Sequence, residues 1–219
     1  MSPFPSSDPG LAAFGSSLTA ITLAELGDKT FFMALILAVR HRARWVFVGA
    51  FAALAAVTLI SLALGYGLRE LLPASLVPWL AALLFLGFGV KLLLNAQSLG
   101  RYTAQDEAEA AEEAVRVAEQ GHTITGPWAV IWESFALVFV AELGDRTQFT
   151  TIFMATAPAQ VFSFAGLLAG TLLGHALVTW LAVGAGKWIG TRVDEQLLYR
   201  LSGALFVAFG LVALHQALG

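Results

Sequence analysis

The chain has 219 residues, 58% of them hydrophobic and only 12% charged, with a mean hydropathy of +0.77, whereas a soluble domain carries about a quarter charged residues. That balance excludes a soluble globular enzyme, and the absence of cysteine excludes a disulfide framework and a thiolate metal site. The net charge of −3 says less than the placement of the 12 basic and 15 acidic residues, most of which lie between apolar runs and a few inside them.

In chain order, the first ten residues are rich in Ser and Pro and carry neither Lys nor Arg, so they resemble neither a signal peptide nor a transit peptide. The first apolar run is therefore expected to remain as a helix. Apolar runs follow at roughly 12–38, 45–67, 76–96, 128–156, 160–186 and 197–218. Each is long enough for the roughly 20 residues that a bilayer crossing needs, which predicts an all-α integral membrane protein of six transmembrane helices. The loop after the first run holds Arg40, Arg42 and Arg44, the third holds Arg101 and Arg116, and the fifth holds Lys187, Arg192 and Arg200; the opposite side offers only Arg69. By the positive-inside rule both termini face away from the cytoplasm.

The connection at 97–127 carries Asp106, Glu107, Glu109, Glu112, Glu113 and Glu119 against two arginines in an Ala-rich stretch. It is expected to be a solvated helix joining two halves; the alternative is an acidic segment that concentrates or senses cations at a cytoplasmic entrance.

The two halves repeat. Ala24-Glu25-Leu26-Gly27-Asp28-Lys29-Thr30 recurs as Ala141-Glu142-Leu143-Gly144-Asp145-Arg146-Thr147, with one conservative change. At the same offset of 117, Gly49 matches Gly166, and at an offset of 121 Ala81–Phe85 matches Ser202–Phe206. Residues 12–96 and 128–218 thus read as two copies of a three-helix unit flanking the linker at 97–127. An odd number of spans per unit inverts the second copy, as in many secondary transporters whose substrate site lies near the midplane.

Glu25 and Glu142 fall at the middle of their runs, so six ionisable residues, Glu25, Asp28, Lys29, Glu142, Asp145 and Arg146, sit deep in the hydrocarbon. Each costs at least about 2.5–3.5 kcal/mol there unless it is paired, hydrated or bound to an ion. On a continuous helix Glu25, Asp28 and Lys29 share one face. Four carboxylates against one lysine and one arginine leave −2, the complement of one divalent cation or two protons. Asp and Glu oxygens, supplemented by the Thr30 and Thr147 hydroxyls, suit Ca²⁺, Mn²⁺ or Mg²⁺. Crowded carboxylates also take up protons, so a site holding either metal or protons and exposed alternately gives antiport. The plainer reading is a pair of i,i+4 bridges, Glu25 to Lys29 and Glu142 to Arg146, locking helices together; it leaves Asp28 and Asp145 without a task. Gly27 and Gly144 either break the helix and expose carbonyls or allow close packing.

The twin Glu-x-Gly-Asp-[Lys/Arg]-[Thr/Ser] motifs on the first helix of each half, with an acidic loop between them, resemble the GDT family of Ca²⁺/Mn²⁺:H⁺ exchangers over nearly the whole chain, from about 12 to 218. The resemblance implies export of Mn²⁺ or Ca²⁺ from the cytoplasm, the four motif acids as ion ligands, H⁺ as counter-ion, no permanently bound cofactor and no nucleic-acid partner. It also implies a bacterial member in the inner membrane. Alternatives are a passive divalent-cation channel with the carboxylates as its constriction, or a structural subunit using the motif for helix association. No nucleophile and base stand at compatible spacing for an enzyme.

Outside the motifs, Glu133 is either an access ligand or an interfacial residue, and Gln148, where the first copy has Phe31, breaks the symmetry and could coordinate. His175, aligned with Thr58, is a proton relay or a hydrogen-bonded interhelical residue. Lys91 reads as snorkelling to the cytoplasmic edge, and Met33 and Met154 as packing residues. Gly65-Tyr66-Gly67 and Gly184-Ala185-Gly186 lack a phosphate-loop context and read as tight helix termini.

Overall fold

In the computed structural model the described residues are 8–73, 75–98, 102–120, 126–157, 163–189 and 195–218. They form helices throughout: α1 (Pro9–Glu25), α2 (Lys29–Arg40), α3 (Ala43–Leu71), α4 (Val77–Ser98), α5 (Tyr102–Glu119), α6 (Pro127–Glu142), α7 (Arg146–Thr156), α8 (Phe164–Ile189) and α9 (Glu195–Leu218). Arg101 and Arg192, used above for orientation, lie outside the described residues.

Four helices, α3, α4, α8 and α9, are long and apolar enough to cross a bilayer, and α6 with α7 meets the same criterion as a pair bent by 68°. The outward surface fits lipid: Leu59, Leu64, Leu83 and Trp180 are exposed along these spans, and Trp128 is exposed at the start of α6, where an aromatic ring suits the headgroup level.

The expected runs 12–38 and 128–156 are not continuous helices. Each is cut at its motif, between α1 and α2 and between α6 and α7. The cause is local: Gly27 and Gly144 take φ of +77° and +85°, a left-handed conformation that side chains resist and glycine does not. Close packing does not explain Gly144, because a Cβ there would meet nothing within 4 Å. Pro9 and Pro127 open α1 and α6 at positions where a missing N–H costs nothing.

Each broken pair packs on the long helix of the other half. α1 lies along α8, and α6 along α3; α2 also touches α8, and α7 touches α3. The contacts are made at glycines. A Cβ on Gly49 of α3 would stand 2.8 Å from the Ser134 side chain of α6, and one on Gly170 of α8 would stand 3.0 Å from Phe14 Cα of α1, beside Ser17. Ser134 and Ser17 occupy corresponding places at the offset of 117, as do Ile131, which also meets Gly49, and Phe14, so packing pairs Gly49 with Gly170, at 121, rather than with Gly166. Helix starts agree, since Ala43 and Phe164 are also 121 apart. The four additional residues therefore fall between α7 and α8, and His175 corresponds to Leu54 rather than to Thr58.

The longest seam joins α4 and α9. Here a Cβ on Gly89 would come within 2.7 Å of Val207, and one on Gly210 within 2.6 Å of Leu86; these two contacts are the same contact seen from each copy. Gly65 lies inside α3, not at a terminus, where a Cβ would stand 2.6 Å from Ala155 of α7, and Gly184 lies inside α8.

The acidic linker is helical as expected, but one face is docked. Ala111 and Val115 of α5 are fully buried against Met33, Leu37, Val46 and Val130. On the exposed face Arg116 grips Glu113 through two bonds of 2.7 and 2.9 Å and holds its carboxyl below the usual carboxylate range; fully solvated, this pair adds little stability.

Candidate cation-binding site

Both motifs fold into the same turn. The Asp28 N–H donates to the Glu25 carbonyl at 3.2 Å and the Asp145 N–H to the Glu142 carbonyl at 3.2 Å, while the Asp28 and Asp145 carbonyls accept from Phe32 and Phe149. Glu25 and Glu142 thus end α1 and α6, where the helix dipole is negative and favours a cation, and Asp28 and Asp145 stand as the residues before α2 and α7. This corrects the single helical face drawn above for Glu25, Asp28 and Lys29, and it removes the i,i+4 bridges. Among the described residues neither Glu25–Lys29 nor Glu142–Arg146 forms an ion pair. Instead Arg146 crosses to the first motif and binds Asp28 Oδ1 at 2.5 Å.

The two motifs meet. Glu142 counts Glu25, Asp145 and Asp28 among its electrostatic neighbours, and Glu25 counts Asp28 and Asp145. Glu25, Asp28 and Glu142 are buried, as are Thr30 and Thr147; Asp145 is partly open. Thr30 donates to Glu25 Oε2 at 3.0 Å, and Thr147 donates to Glu142 Oε1. Each glutamate keeps its second oxygen buried without a hydrogen-bond partner among the described residues, and so does Asp145. A buried acceptor left unsatisfied costs about 1–3 kcal/mol, more when charged. Three such oxygens flank the meeting of the two breaks as places for protons or, once the side chains close together, ligands for a hard cation; as they stand, no three donors of the motif acids lie within 4.8 Å of one another.

The surroundings are less symmetric than the turns. His175 Nδ1 stands 3.5 Å from Glu25 Oε1 with both atoms otherwise unpartnered. In the second motif the Gln148 carbonyl oxygen accepts the Gly144 N–H at 2.6 Å, so the residue considered as a ligand caps the break. Ser202 of α9 donates to the Leu23 carbonyl at 2.7 Å, an acceptor that the break after α1 leaves free.

A cavity of about 310 Å³ reaches the junction and is lined by Asp28, Lys29, Asp145 and Arg146, with Lys91, Asn95 and Glu107 further out. Lys91 therefore faces this vestibule as well as the helix end. Asn95 and Glu107 were not singled out from the sequence; an amide inside the apolar α4 is the signal that marks the first, while nothing distinguishes Glu107 from its acidic neighbours. At the far end of α4 and α9 a larger apolar cavity of about 610 Å³ includes Phe85, Phe153 and Phe209, and none of the four motif acids lines it.

An all-helical membrane protein with paired acidic helix breaks and a polar cavity reaching them has the character of a cation-handling protein. Residues 13–99 and 130–219 match the family described as Divalent cation/proton antiporter GDT1, and the chain belongs to that family, a family of transporters. It is 41% identical to a GDT1-like protein of Synechocystis over 93% of this chain and 97% of that one. It is 39% identical to Protein PAM71, chloroplastic, of Arabidopsis thaliana, over 94% of this chain and 57% of that one. GDT1-like protein 1, chloroplastic, of Oryza sativa subsp. indica is 38% identical over 93% of this chain and 62% of its own length. The chain thus spans nearly all of the Synechocystis relative and about six-tenths of the chloroplast ones. No solved structure matches it.

Proposed function

We propose that the chain is a secondary active exchanger that moves Mn²⁺ or Ca²⁺ out of the cytoplasm against protons. Glu25, Asp28, Glu142 and Asp145 are the ligands, Thr30 and Thr147 orient the glutamates, and Arg146 and Lys29 set the residual charge. The observation that carries this reading is the set of three buried, unpartnered carboxylate oxygens where the two helix breaks meet. Lost hydration must be replaced by the ion's ligands, and the four carboxylates against Lys29 and Arg146 leave −2 to be met by one divalent cation or two protons.

The reading takes the split runs as two broken spans, so that with α3, α4, α8 and α9 the membrane domain has six, arranged as two inverted three-span halves. The paired contacts Gly49–Ser134 with Gly170–Ser17, and Gly89–Val207 with Gly210–Leu86, support that symmetry. The vestibule opens beside α5, on the side that the basic-residue count assigns to the cytoplasm, which is the loading side for export. The same count supports a cell membrane with both termini outside, and the resemblance to a Synechocystis protein supports a bacterial one.

The test is a proteoliposome assay with Mn²⁺, Ca²⁺ and Mg²⁺ run in parallel under an imposed pH gradient. Uphill movement of Mn²⁺ or Ca²⁺ coupled to proton counterflow is expected, with little for Mg²⁺. Movement only down the metal gradient, indifferent to pH, would mean a channel.

A further inference from the structure

Away from the helix breaks, three metal-ligating side chains from three different elements converge beside the C-terminal end of α5. His41 follows α2, Glu119 ends α5 and Glu133 lies in the second turn of α6. One donor atom from each falls within 4.8 Å of the others. His41 Nε2 stands 3.2 Å from Glu119 Oε1 and 4.0 Å from Glu133 Oε2. Metal–ligand bonds of about 2.1 Å would set donors roughly 3.4 Å apart in a tetrahedral shell, so modest rotamer changes close the site.

Two further observations bear on what the cluster holds. Both carboxylate oxygens of Glu133 are buried with no hydrogen-bond partner among the described residues, which is costly unless a cation completes them. The other oxygen of Glu119 is taken by Arg40, so one positive charge faces two carboxylates and the cluster is left one charge short. A protonated His41 would balance it, whereas a divalent cation on a neutral imidazole would meet both carboxylates and leave the charge of the partly exposed Arg40 to solvent.

We propose that His41, Glu119 and Glu133 form a second divalent-cation site, distinct from the helix breaks, that pins the linker helix α5 to the transport domain. One imidazole and two carboxylates suit Mn²⁺ or Zn²⁺ better than Ca²⁺ or Mg²⁺. The placement gives the site a regulatory use. Glu107 on the same helix lines the vestibule below Asp28 and Asp145, twelve residues or about 18 Å from Glu119, so a cation at one end of α5 fixes the helix that borders the entrance at the other.

The experiment adds Mn²⁺ alone to the detergent-solubilised full chain and reads ¹⁴N modulation of the Mn²⁺ signal by pulsed EPR, a nitrogen signature that oxygen ligands do not give. Modulation is expected in the parent protein and in His175→Ala, lost in His41→Ala, and shifted to at least about tenfold higher Mn²⁺ in Glu133→Gln, since even partners of metal ligands are worth about 10- to 100-fold. Absence of modulation, or its survival in His41→Ala, overturns the site. Tryptic cleavage after the exposed Arg116 tests the pinning: Mn²⁺ should slow it in the parent and not in His41→Ala, and equal rates with and without Mn²⁺ overturn that part. Thermal unfolding of metal-free His41→Ala, matching the parent, excludes misfolding as the cause. None of these readouts requires transport, so they stand or fall separately from exchange at the helix breaks.

Discussion

At Gly27 and at Gly144 the chain turns through nearly the same angles, and the flanking residues agree as closely: Asp28 has φ −81° and ψ 166°, Asp145 φ −81° and ψ 169°. Their neighbourhoods part company. Asp28 is buried and held by Arg146, whereas Asp145 is partly open with a free oxygen. Glu25 faces an imidazole, while the corresponding position on α3 is Leu54. Duplication supplied one backbone device twice, and the residues packed around each copy leave the two aspartates in different states: Asp28 anchored by Arg146, Asp145 with an unpartnered oxygen.

The largest effect should come from removing the asymmetric ion pair. Arg146→Ala leaves Asp28 buried without its partner, a situation that costs about 3–5 kcal/mol, and Lys29→Ala should cost far less because Lys29 makes no ion pair among the described residues. Denaturation in detergent measures both, and equal losses would break the contrast between the motifs. Next, Glu25→Gln and Glu142→Gln should each lower metal transport in proteoliposomes by more than about a hundredfold, beyond what loss of a supporting partner brings. A loss confined to one of them would assign the ion to a single motif. The smallest effects concern the shared turn. Gly27→Ala and Gly144→Ala should each destabilise by about 1–2 kcal/mol, the strain of a side chain in the left-handed region, and a difference between them well beyond 1 kcal/mol in detergent melts would show that the turns are not equivalent.

Much of this was legible in the sequence because it depends on composition and repetition. Apolar runs mark the candidate spans, and a seven-residue motif recurring with six acids and bases inside such runs marks the candidate site. What was not legible depends on backbone conformation and on packing across distant segments. Periodicity assumes an unbroken helix, so it placed Glu25, Asp28 and Lys29 on one face; a single positive φ at Gly27 undoes that. Identity at a constant offset paired Gly49 with Gly166 and His175 with Thr58, and the four residues inserted before α8 moved both matches by one turn. Arg146 reaching Asp28, 118 residues away, and His41 meeting Glu119 have no local signature.

The α4–α9 seam bears on how the protein can move at all. With glycines on both sides of the crossing, at Gly89, Gly203 and Gly210, backbone meets side chain with no slack, and close-packed surfaces of this kind do not slide continuously. The seam is a keel. Any rocking that carries the acids from one face of the membrane to the other has to be borne by the broken pairs and the long helices that clasp them, and a chain without cysteines lets cross-links be placed across either joint to find out which one must stay loose.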